Sequence, residues 1–122
     1  MPRSQPHPAL RHDRDYLELV TDIVIGPAAA RGAAWAVLRR HVTDYIEGFA
    51  RLPVGWLNES ELARRTIARR VVDRLAADSF DLLAQWRRRV LQGEDHAAFA
   101  TMLHIVIRWV AIRYAHATGC DP

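Results

Sequence analysis

The sequence predicts an all-α domain, a compact bundle of about four to five helices. Three observations predict it. Apolar residues recur every three or four positions across most of the chain, the helical rather than the extended period. Ala, Leu and Arg dominate, while β-branched residues are embedded in those stretches instead of forming alternating runs. Helix stops fall between the periodic segments, at Gly26-Pro27, at Leu52-Pro53-Val54-Gly55 and at Gly93. With 122 residues, half of them hydrophobic, the chain is sized for one domain with one core.

Residues 1–12 hold three prolines and few apolar anchors, which reads as a flexible arm. The domain then spans 13–117, followed by a tail at 118–122. Asp13 or Asp15 caps a first helix that runs to Ile25 with Tyr16, Leu17, Val20 and Val24 on one stripe. A second helix runs from about residue 28 to 51, its expected seam formed by Trp35, Leu38, Val42, Tyr45 and Phe49. After the Pro-Gly break, Trp56 and Leu57 are expected to pack locally. Asn58 or Ser60 caps a third helix, in which Ala63, Ile67, Val71 and Leu75 step by four along one face. Ser79 opens a fourth, shorter helix. Asp95 caps the last, from about 96 to 116. Its Phe99, Leu103, Val106, Val110 and Tyr114 form one apolar stripe and Met102, Ile105, Trp109 and Ile112 a second beside it. A helix apolar over that much of its surface is expected at the centre of the bundle, with Trp109 in the core. Thr101, His104 and Arg108 share its narrow polar face.

Composition narrows the function classes. All 17 basic residues are Arg, a usage that fits a GC-rich coding bias, and the net charge is only +3. Such a charge permits an anionic partner without requiring one. The single cysteine, Cys120, excludes an intrachain disulfide and a cysteine-built metal site. No apolar run reaches membrane-spanning length, and the N-terminus lacks the apolar core of a signal peptide, so a cytoplasmic protein is expected. The six histidines form no close ligand pattern on any one helix. No Ser-His-Asp set, P-loop or glycine-rich phosphate motif is present, so neither a catalytic role nor a cofactor is expected.

Three segments, in order, resemble the second conserved region of bacterial RNA polymerase sigma factors, the small extracytoplasmic-function type in particular. LRRHVTDYIEGFARL at 38–52 is similar to that region's first helix, ELARRTIARRVVDRL at 61–75 to its polymerase-binding helix, and MLHIVIRWVAIRYAH at 102–116 to its promoter-recognition helix. The resemblance covers about 35–117. It implies a domain that binds core RNA polymerase through the clamp helices of the largest subunit and helps to recognise or melt promoter DNA. By that resemblance Arg65, Arg69, Arg70 and Asp73 face polymerase, and residues 86–94 together with Arg108 face DNA.

The departures are specific. Thr66, Arg69 and Arg70 stand where acid, glutamine and acid are usual, and reversed charge on a polar contact can reject a partner. Trp109 and Arg113 replace the common asparagine and aspartate. The usual second DNA-binding region, a helix-turn-helix domain, is absent from this chain, which fits an excised domain, a small stand-alone relative or a domain that has changed partner. The alternative is therefore a protein-interaction or regulatory module on the same fold, without promoter binding, whose partner is an anti-sigma or another protein.

Trp86-Arg87-Arg88-Arg89 is the densest basic cluster. Arginines neutralise phosphates and an aromatic ring stacks on an unpaired base. The opposing reading is a solvated helix end with Trp86 in the core, its arginines suited to the helix dipole. Arg65, Arg69 and Arg70 have the same two readings: a binding surface, or the wet face of an amphipathic helix.

Overall fold

The computed structural model describes residues 12–94 and 98–118. Four α-helices account for the bundle: α1 (Asp13–Ile25), α2 (Ala28–Gly48), α3 (Glu61–Leu91) and α4 (Phe99–Ala117), with a 3-10 turn at Gly55–Glu59. No strand occurs among the described residues. Residues 1–11 of the expected arm, Asp95 and Cys120 lie outside them.

The helix boundaries have local causes. His12 is the N-cap of α1, and Asp15 accepts its backbone N–H at 3.3 Å; Asp13 and Asp15 lie in the first turn, where the helix dipole favours acid. At Gly26 a Cβ would stand 2.5 Å from the Asp22 carbonyl oxygen, so only glycine permits the tight exit before Pro27. Ser60, rather than Asn58, caps α3 by accepting the Ala63 N–H at 3.1 Å. The end of α3 closes in a Schellman pattern: Glu94 N–H donates to Arg89 O and Gly93 N–H to Val90 O, with Gly93 at φ +79.

The fourth predicted helix is the second limb of α3. Ala77 is extended, and Asp78, Ser79 and Phe80 follow with φ of 54, 57 and 64, dividing α3 into limbs at about 61–76 and 81–91. Left-handed backbone costs each L-residue about 1–2 kcal/mol, so packing must hold the break. Phe80 supplies some of it, meeting Trp35 edge-on at 5.1 Å between ring centroids.

The core is a single cluster drawn from every helix and the 3-10 turn. α3 contributes Ala63, Ile67, Val71 and Leu75, the face read from the sequence, and adds Leu83 and Trp86 from its second limb. In α2 the seam is rotated from expectation: Ala34, Leu38, Val42 and Ile46 are buried, Trp35 and Tyr45 flank them, and Phe49 is 78% exposed at the helix end. The expected central position of α4 is also corrected. α3 packs against α1, α2 and α4, and is the hub. α4 buries Phe99, Met102, Leu103, Val106, Ile107, Val110, Ala111 and Ala115, but the flank bearing Ile105 and Trp109 faces solvent.

One unpredicted arginine joins the pieces. Arg64 extends from α3 under the end of α2, where its guanidinium donates to Ile46 O at 2.8 Å, Ala50 O at 2.9 Å and Asn58 O at 3.0 Å. It thereby satisfies the Ile46 carbonyl, left open in the last turn of α2, and two carbonyls of the connection that follows. Asn58 holds the turn itself, accepting the Leu52 N–H and donating to the Leu52 carbonyl.

Candidate functional site

Three surfaces gather the polar residues singled out by sequence. The first is a cleft between α2 and α3 of about 380 Å³, lined by Arg39, Arg40, Thr43, Asp44, Glu47, Arg65, Arg69, Val72 and Asp73. Its residues come from the solvent faces of two packed helices and carry both signs of charge, four arginines against Asp44, Glu47 and Asp73. Arg40 pairs loosely with Asp44 at 3.9 Å. Exposed pairs of this kind contribute under about 1 kcal/mol, so these side chains are free to re-pair with an incoming surface.

The second is a groove between α3 and α4 of about 310 Å³, lined by Arg70, Asp73, Arg74, Trp109, Val110 and Arg113. The four expected polymerase-facing residues are thus divided. Arg65 and Arg69 look into the α2/α3 cleft, Arg70 into the α3/α4 groove, and Asp73 borders both. Trp109, expected in the core, is 49% exposed, and the Arg113 and Arg74 guanidinium carbons lie 4.7 and 5.8 Å from the centroid of its ring system. Arg70 lies 5.3 Å from the Tyr114 centroid. Cation–π pairing orders these guanidinium groups around aromatic faces.

The third surface, about 490 Å³, joins Arg108 and His104 of α4 to Arg51, Pro53 and Asn58 of the α2–α3 connection. Arg108 is exposed, as expected of the polar face of α4.

The Trp86-Arg87-Arg88-Arg89 cluster does not hold together as one site. Trp86 is 1% exposed and meets Phe99 edge-on at 5.1 Å, because it continues the inward face of Leu83 one turn earlier. Its ring is part of the core and is withdrawn from base stacking. Arg87 turns the other way and donates through Nε to Thr21 Oγ1 of α1 at 3.0 Å. Arg89 reaches Glu94 at 3.6 Å. Arg88 alone of the three is exposed without a polar partner among the described residues. Adjacent positions on a helix are about 100° apart, so consecutive arginines diverge.

Sequence reasoning missed two features. Arg74 was not singled out, although it lines the α3/α4 groove beside Trp109. Two tyrosine–histidine pairs were also hidden: Tyr16 Oη and His41 Nε2 are 2.6 Å apart, as are Tyr45 Oη and His104 Nε2. With Nε2 unprotonated, each phenol donates to it. All four line one small cavity of about 130 Å³ against Phe99. No spacing in the sequence links residues 25 and 59 positions apart. For Trp109 a signal existed: Ile105 and Trp109 immediately follow the polar His104 and Arg108, placing them at the edge of the apolar arc.

These features define a small helical-bundle domain with charged interhelical grooves. No described helix is long and apolar enough to cross a membrane, and no group of three His, Cys, Asp or Glu suited to a metal occurs among the described residues. No protein-family model, curated protein or solved structure gives a significant match to the chain.

Proposed function

We propose that this chain is a sigma-like transcription domain that docks on core RNA polymerase through the α2/α3 cleft and presents α4 toward promoter DNA. The carrying observation is that cleft: Arg65 and Arg69 of α3 stand opposite Arg39, Arg40, Asp44 and Glu47 of α2 on a solvent-facing helix pair. A surface of mixed charge on two packed helices suits another helical pair, with register fixed by charge and the core left undisturbed. The ordered resemblance of 38–52, 61–75 and 102–116 names polymerase as that partner. Arg108 and Arg88 remain as candidate phosphate contacts; Trp86 does not. The domain performs no covalent chemistry in this reading.

The test is binding of the purified chain to core RNA polymerase by biolayer interferometry. We expect a micromolar or tighter complex, weakened about tenfold in Arg65→Glu/Arg69→Glu, equivalent to about 1.4 kcal/mol. No binding at tens of micromolar, by order of magnitude, would remove the proposal.

A second reading is a protein-interaction or regulatory module without promoter binding. It is favoured by one observation: half of the cluster nearest the expected DNA strand is turned inward, with Trp86 in the core and Arg87 on Thr21. Polymerase binding without any effect of promoter DNA would separate this reading from the first.

A further inference from the structure

The α3/α4 surface carries a separate implication. Its groove continues past Trp109 into a second, more apolar one of about 230 Å³, where Leu82, Ile105 and Val106 meet Arg74 and the other side of the Trp109 position. Trp109 and Arg74 belong to both. Ile105 is 63% exposed and Trp109 49%, one helical turn apart on α4. They form an apolar strip along the helix axis, their positions roughly 6 Å apart in rise. Arg70, Arg74 and Arg113 surround it, and none of the three makes a salt bridge to a described carboxylate. Against these three positive charges the lining supplies a single acid, Asp73.

The geometry points to this groove as a docking site for an acidic amphipathic helix of a partner protein. The occupant follows from charge and shape together. Two anchors one turn apart match apolar side chains at i and i+3 or i+4 of a partner helix. Guanidinium groups beside them match Glu or Asp on its flanks, in the bidentate manner arginine favours. Tryptophan and arginine are also the side chains that most often dominate binding energy at the centre of protein interfaces. A single-stranded nucleic acid fits less well. A base stacks on Trp109, but its neighbours Leu82 and Ile105 offer no hydrogen bonds to base edges. The site does not depend on polymerase binding, which was assigned to the α2/α3 cleft.

The experiment is fluorescence polarisation with the whole chain and three labelled probes. One is a peptide of about 18 residues with Leu and Phe on one helical face and Glu on the other. The second is the same composition in scrambled order, and the third a single-stranded oligonucleotide of about 12 nucleotides. We expect saturable binding of the patterned peptide, no saturation with the scrambled one, and weakening of about tenfold in Trp109→Ala and in Arg74→Glu/Arg113→Glu. Arg65→Glu/Arg69→Glu is expected to leave peptide affinity unchanged, which keeps this site distinct from the polymerase reading. Ile105→Glu provides a second variant at an exposed position should Trp109→Ala lose helicity by circular dichroism. The Trp109 indole N–H resonance, assigned through Trp109→Phe, is expected to shift on titration. Equal binding of the scrambled peptide, unchanged affinity in folded Trp109→Ala or Ile105→Glu, or tighter binding of the oligonucleotide overturns the inference.

Discussion

The first amide of α4, Phe99 N–H, donates to Asp13 Oδ1 at 3.1 Å, so a carboxylate from the first helix closes the start of the last. Ala98, the N-cap residue, has no side-chain oxygen to do this. Tyr16, one turn after Asp13, stacks on the Phe99 ring at 4.2 Å and 9°. Together they pin α1 to α4. Asp13→Ala is expected to cost about 1 kcal/mol, the usual value for losing a capping oxygen. Urea unfolding followed by circular dichroism measures it, and an unchanged midpoint would show the bond to be dispensable.

Arg64 holds the end of α2. Its removal leaves the Ile46, Ala50 and Asn58 carbonyls without their charged donor. Arg64→Ala is expected to destabilise by about 2–3 kcal/mol, in the range of hydrogen bonds to charged groups. Arg64→Lys should recover little, because one ammonium cannot reproduce a fork that reaches carbonyls on two sides. The same unfolding series compares the two.

The break in α3 is strained at Asp78, Ser79 and Phe80. Ser79 is exposed, so its replacement by glycine removes a left-handed penalty without opening the core. Ser79→Gly is expected to stabilise by about 0.5–1 kcal/mol, the strain relieved being partly offset by the greater freedom of the unfolded chain. A lower melting temperature would argue that the serine side chain holds the turn.

Neighbouring positions on α4 should differ sharply. Val106 is buried at 7% exposure, whereas Ile105 is not. Val106→Asp buries a charge without a partner and is expected to cost about 3 kcal/mol or more. Ile105→Asp is expected to stay within about 0.5 kcal/mol, as for surface sites. Equal losses at both would place the Ile105 flank in a buried interface.

Alkaline stability should depend on Tyr16. Burial first, then the charges of Asp13, Tyr45 and Asp15, raises its hydroxyl above the ordinary phenol value. The unfolded chain therefore releases this proton at a lower pH than the folded one. The Tyr16 contribution is intact below the ordinary value of about 10, declines as pH rises through it, and levels off above the raised folded value. Tyr16→Phe should flatten that part of the decline. Melting temperatures measured between about pH 8 and 11 provide the comparison.

The sequence by itself determined the helical class, the stops at Gly26-Pro27 and Gly93 and the inward face of α3, but not the start of α1, which His12 caps, or the end of α2 at Gly48. Helical period, Pro and Gly stops and the Ser60 cap are local properties, set within a few residues and independent of the rest of the chain. Ala63, Ile67, Val71 and Leu75 were legible because helix period alone fixes which side chains share a face. What lies opposite a face is set by packing. Only the tertiary structure decided that α3 and not α4 is the hub, that Trp86 is in the core and Trp109 outside it, and that Arg65 and Arg70 serve different grooves. Trp109 lies at the border of an apolar arc, where a rotation of a few tens of degrees exchanges core for solvent, whereas Trp86 continues the inward face of Leu83. The Asp13–Phe99 bond, the Arg64 cap and the Tyr–His pairs join residues far apart in the chain. Their energy depends on the final few ångströms of approach, which no periodicity encodes.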